Sequence, residues 1–115
     1  MSISQDSGFS VVLTNLPTRE AAEALAQHLL KLRLAACVNV LSPCLSIYHW
    51  HGKIETANEV PVIIKSLSSN FATIEKAIRE NHPYEVPEII ALPITQGYKG
   101  YLDWMRGVSN VLDKD

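Results

Sequence analysis

ACVNVLSPCLSIYHWHGKIETANEVPVIIKSL, residues 36–67, is two long runs of strand-forming residues on either side of a turn. From Ala36 to Trp50 and again from Ile54 to Leu67 the composition is dominated by Val, Ile, Leu and Tyr, and His51-Gly52-Lys53 between them reads as the turn of a hairpin. Fully extended, Ile54–Ser66 would span roughly 40 Å at about 3.4 Å per residue. A compact chain of 115 residues has a diameter of only roughly 35 Å. The hairpin is therefore too long for its own domain. Either its strands bend, at Pro43 and Pro61, which suit bulges or edges, or the arm projects and pairs with another copy to cover exposed strand edges. The oligomer is the favoured alternative.

Working outward, Phe9–Thr14 (FSVVLT) is a buried strand that stops at Asn15 and Pro17. Thr18 caps a first helix running to about Arg33, with Ala22, Leu25, Ala26, Leu29 and Leu32 forming its apolar stripe. Ser68, Ser69 and Asn70 offer caps for a second helix, in which Phe71, Ile74, Ala77 and Ile78 keep helical spacing up to Asn81. Ile89–Leu92 is a fourth apolar strand, and Tyr101–Gly107 adds a short C-terminal helix. The order β-α-β-β-α-β predicts an α+β, ferredoxin-like fold: an antiparallel sheet with both helices on one face and the other face uncovered. A single domain is expected over residues 1–115, with residues 1–8 as a flexible tail.

Composition removes several classes of function. Hydrophobic residues make up 47% and charged residues 19%, with a formal net charge of -2, so neither disorder nor a nucleic-acid partner is expected. The opening Met1–Ser7 lacks the basic start and apolar core of a secretion signal, and no apolar run reaches the roughly 18 residues a membrane helix needs. A cytoplasmic protein with no membrane association is the expectation. Cys37 and Cys44 would then stay reduced, and their spacing fits no common zinc motif, so they read as small core hydrophobes. Gly-rich phosphate loops and the G-x-S-x-G, H-E-x-x-H and C-x-x-C motifs are absent, and no enzymatic activity is expected.

The densest polar constellation is His82-Pro83-Tyr84-Glu85-Val86-Pro87-Glu88, where each proline drives its predecessor toward extended backbone and so stiffens the loop. An imidazole and carboxylates on such a loop suit metal binding or acid-base work; the same residues also suit a rigid connector into the last strand. His49 and His51, two apart, would share one strand face and could chelate an ion, or stand as solvent-facing neighbours of Trp50. His28 reads as a helix-surface residue. Tyr48, Trp50, Tyr84, Tyr98, Tyr101 and Trp104 suit a ligand pocket, or core and subunit contacts.

Four blocks, Leu34–Asn39 (LAACVN), Ile47–Glu55 (IYHWHGKIE), His82–Ile89 (HPYEVPEI) and Tyr101–Trp104 (YLDW), give the chain from Val11 to about Trp104 a resemblance to the CutA divalent-cation tolerance family. The resemblance implies a tight homotrimer built through long intersubunit strands, similar to the PII signalling proteins, and a role in tolerance to copper or another divalent cation. In the family's bacterial pattern copper is held by a cysteine at the end of the first strand with the histidine and final glutamate of H-P-Y-x-x-P-E. The last two fall on His82 and Glu88. The cysteine falls on Thr14, which lacks the soft thiolate that favours copper, and His51 stands where the family commonly has glutamate. Two functions follow. In one, His82 and Glu88 coordinate a divalent ion between subunits, with Thr14 or a water as third ligand. In the other, a PII-like trimeric sensor or scaffold binds a small anion or metabolite in an intersubunit cleft lined by Tyr84, Lys65 and His82.

Overall fold

In the computed structural model, which describes residues 7–109, β1 (Phe9–Leu16) leads into α1 (Arg19–Lys31), and β2 (Cys37–Val40), β3 (Cys44–Trp50) and β4 (Lys53–Leu67) follow in succession. A short 3-10 turn (Ser68–Asn70) then opens α2 (Phe71–Glu80), and β5 (Ile90–Pro93) and α3 (Lys99–Val108) close the described chain. Thr18 caps α1, its Oγ1 accepting from the Ala21 amide at 3.1 Å, which satisfies one of the helix's orphan donors. Of the stretch 1–8 expected as a tail, only Ser7 and Gly8 are described: the Ser7 amide donates to Ile94 O and Gly8 O accepts from the Ser68 amide.

The sheet is antiparallel in the order β2-β4-β1-β5, the ferredoxin-like order, with β3 paired to the outer half of β4. Val12, Thr14 and Leu16 lie opposite Ile64, Val62 and Val60, and all six are buried. Ala22, Leu25 and Leu29 of α1 and Ile74, Ala77 and Ile78 of α2 complete that layer. The other face carries Val11, Leu13, Ile63, Ile90 and Leu92, with Ile90 and Leu92 each 49% exposed. Only at one end does α3 cover it, where Met105 packs with Phe9 and Leu67.

The long hairpin differs from expectation in its first half. Ala36–Trp50 is not one strand but two, β2 and β3, broken at residues 41–43. Val40 pairs with Val62 and Cys44 with Glu59, so four steps on one side oppose three on β4. This one-residue bulge reverses which side chains face which layer. Pro61 sits opposite the break. Its carbonyl accepts from the Leu41 amide, and a strand residue's N–H and C=O point to the same side, so its missing N–H falls in the gap between β2 and β3 and costs no ladder bond to β1. Beyond the bulge, Leu45 and Ile47 face the helix side while Tyr48 and Trp50 face the open side. The turn is His51-Gly52, with φ of 52° and 76°, both left-handed as a two-residue type I′ connection requires.

Cys37 is half-buried and Cys44 exposed, which corrects the reading of both as core residues: paired with Lys65 and Glu59, they lie on the open side of the sheet and not in the helix-covered layer. His28 is exposed on α1. No helix among the described residues is long and apolar enough to cross a membrane.

Candidate functional site

Asn81 closes α2, its side-chain Nδ2 donating to Ala77 O at 2.7 Å, and Pro83 prevents the helix from continuing. The chain therefore turns at His82 toward the end of β1. There the His82 Nε2 lies 2.6 Å from Asn15 O, while the Tyr84 amide donates to His82 Nδ1 at 3.2 Å. An amide can only donate, so Nδ1 is the acceptor, and the ring's proton sits on Nε2 and points at the Asn15 carbonyl. At the other end of the loop Glu88 Oε1 accepts from Asn15 Nδ2 at 2.7 Å. One residue of β1 thus ties down both His82 and Glu88.

Between this loop and the β3–β4 arm lies a cleft of about 760 Å³. Tyr48, Trp50 and Tyr84 give it aromatic walls, Glu59, Glu85 and Glu88 give it carboxylates, and no lysine or arginine is among its lining residues. The Tyr84 ring packs against His82 at 4.7 Å between centroids. Burial of the Tyr84 phenol raises its pKa, and the neighbouring Glu59 charge, a hydrogen bond to that carboxylate and Tyr48 raise it further.

Of the other expected site residues, His49 lines the cleft, whereas Thr14, Lys65 and His51 are not among its lining residues. Thr14 faces the helix layer opposite Val62, 2% exposed, and its Oγ1 has no hydrogen-bond partner among the described residues. It is turned away from the cleft, which corrects its placement as a third ligand: neighbouring strand residues face opposite layers, and Asn15 takes the cleft side. Lys65 does not line the cleft with Tyr84. It lies on the open sheet face with its Nζ 6.0 Å from the centre of the Tyr101 ring. His49 and His51 do not share a strand face, because β3 ends at Trp50 and His51 occupies the left-handed turn. His51 packs edge-on against Trp50 instead, at 4.7 Å.

The donor set His82, Glu88 and Thr14 does not fit a divalent ion within one chain. Both His82 nitrogens are engaged by backbone groups, Thr14 is enclosed in the core, and Glu88 has one oxygen committed to Asn15. Among the described residues no three His, Cys, Asp or Glu side chains come together as metal ligands would. Asn15 and Glu59, which complete the site's geometry, had no local sequence signal.

Compared with known proteins, residues 10–108 match the family model described as CutA1 divalent ion tolerance protein. The chain is 42% identical over 96 residues to the divalent-cation tolerance protein CutA of Thermus thermophilus, covering 84% of this chain and 93% of that one. It is also 42% identical over 96 residues to the chloroplastic protein CutA of Arabidopsis thaliana, but spans only 53% of that protein. The crystal structure of CutA1 from the psychrotrophic bacterium Shewanella sp. SIB1 superposes with a TM-score of 0.88 at 36% identity, over 92% of this chain and 99% of that one.

Proposed function

We propose that this chain, which belongs to the CutA1 divalent ion tolerance protein family, works without enzymatic turnover as a cytoplasmic homotrimer that takes up a divalent cation at the cleft beneath the 82–88 loop. One observation carries the choice of ligand: Glu59, Glu85 and Glu88 line that cleft, and no lysine or arginine is among its lining residues. A cleft of one charge sign concentrates the opposite ion. The alternative, a PII-like sensor for an anion, requires cationic groups there, and Lys65 faces Tyr101 instead.

Support for assembly comes from the arm, which exposes Leu45, Ile47 and Ile54, apolar surface of the kind that subunit contacts bury. Titration calorimetry of the purified protein with zinc(II), copper(II) and inorganic phosphate tests the ligand class. Binding of either metal should weaken about tenfold in Glu59→Gln/Glu88→Gln, a loss of about 1.4 kcal/mol, and phosphate should give no heat of binding. Metal binding unchanged in the double variant, or saturable phosphate binding, would sink this proposal.

A further inference from the structure

We propose that His82 is a positioning residue, the latch of the 82–88 loop, and is not a ligand of the cation. The inference rests on the cation reading of the cleft for its functional meaning and on hydrogen-bond geometry for its content. A neutral imidazole has one donor and one acceptor, and here both are spent on backbone: Nδ1 accepts from the Tyr84 amide and Nε2–H donates to Asn15 O at 2.6 Å. A metal needs a ring lone pair. Binding at Nδ1 displaces the Tyr84 amide. Binding at Nε2 moves the proton to Nδ1 and sets it against the same amide, donor facing donor. Either route breaks the short turn His82–Tyr84 that Pro83 stiffens.

The same geometry explains what the latch is for. Asn15 holds the loop's entry through its carbonyl and its exit through its amide on Glu88. Between those two anchors Tyr84 lines the cleft together with Glu59. His82 thus acts on the cleft through the loop, and the donors left to an ion there are the carboxylates of Glu59, Glu85 and Glu88 and the imidazole of His49, which also lines the cleft.

Long-range ¹H–¹⁵N spectra of the labelled protein, recorded at mildly alkaline pH before and during titration with zinc(II), read the ring nitrogens directly. The expected result is the Nε2–H tautomer throughout, with His82 nitrogen shifts unmoved at zinc saturation while backbone signals of Glu59 and Glu88 move. A complementary pair of variants separates latch from ligand. His82→Ala frees the loop and weakens zinc binding about tenfold, whereas His82→Gln, which keeps an N–H for Asn15 O and an acceptor for the Tyr84 amide, recovers most of that loss. An Nδ1–H tautomer, ring nitrogens that shift with zinc, or a glutamine variant as weak as the alanine one would each overturn the assignment. If the parent protein binds no zinc, the cation reading of the cleft falls while the tautomer spectrum still decides the latch.

Discussion

Tyr84 and Glu59 meet across the cleft, and their interaction has a measurable sign. Burial is the first cause of the raised phenol pKa, with the Glu59 charge and hydrogen bond next. A phenol whose pKa is raised on folding contributes stability while it is protonated, below its ordinary value of about 10, and loses that contribution as pH rises through the raised folded value. Glu59→Gln removes the charge but leaves the burial, so the Tyr84 midpoint should fall part of the way toward its ordinary value. Ultraviolet phenolate titration, with Tyr84→Phe subtracted to isolate the residue among the four tyrosines of the sequence, reads this; a midpoint that stays put would mean that Glu59 does not act on Tyr84. Residue by residue, the stiff His82–Glu88 segment was legible because prolines and polar groups are contiguous there. Its partners were not, since the bonds from Asn15 to His82 and to Glu88 span 67 and 73 residues. Matching Thr14 to the family's cysteine came within one residue of Asn15 and still reached the wrong layer, because adjacent strand positions face opposite ways.

At the scale of elements, the His51-Gly52 turn and the bulge at residues 41–43 together set which side chains of β3 look into the cleft. The turn fixes the pairing of Trp50 with Lys53, and the bulge lets that register coexist with the pairing of Val40 with Val62. Gly52 has a φ of 76°, and a Cβ there would meet nothing within 4 Å. Gly52→Ala should therefore cost about 1–2 kcal/mol through backbone conformation alone. Gly52→Asn should recover part of the loss, since asparagine tolerates the left-handed region. Urea midpoints at one fixed protein concentration compare the three proteins; an alanine variant as stable as the parent would show that the turn does not constrain the arm. The hairpin and helices could be read from periodicity and caps, whereas the bulge could not. Pro43 marked a place where the strand is free to bend, but a bulge is defined by counting residues against a partner strand, and that partner register belongs to the folded sheet.

For the whole molecule, the arm is where one chain leaves its own fold incomplete. The radius of gyration is 15.2 Å and the longest extent 43 Å, against about 13 Å expected for the radius of a compact chain of this size. No residue of β3, nor of β4 before Val60, belongs to either buried core cluster. Leu45, Ile47 and Ile54 are 61%, 64% and 70% exposed, and the pairing of β3 with β4 puts all three on one face. Burying one such side chain contributes roughly 1.5–3 kcal/mol, and in a closed trimer each contact recurs three times. Charging this face should therefore dismantle the proposed assembly without unfolding the core that carries β1, α1 and α2. Light scattering after size exclusion should give the parent a mass near three chains and give Ile47→Lys/Ile54→Lys a mass near one at micromolar concentration, with far-ultraviolet circular dichroism retained. A parent that runs as a monomer would remove the trimer. A charged variant that keeps the three-chain mass would place the subunit contacts on the other face of the sheet, where Ile90 and Leu92 remain half exposed.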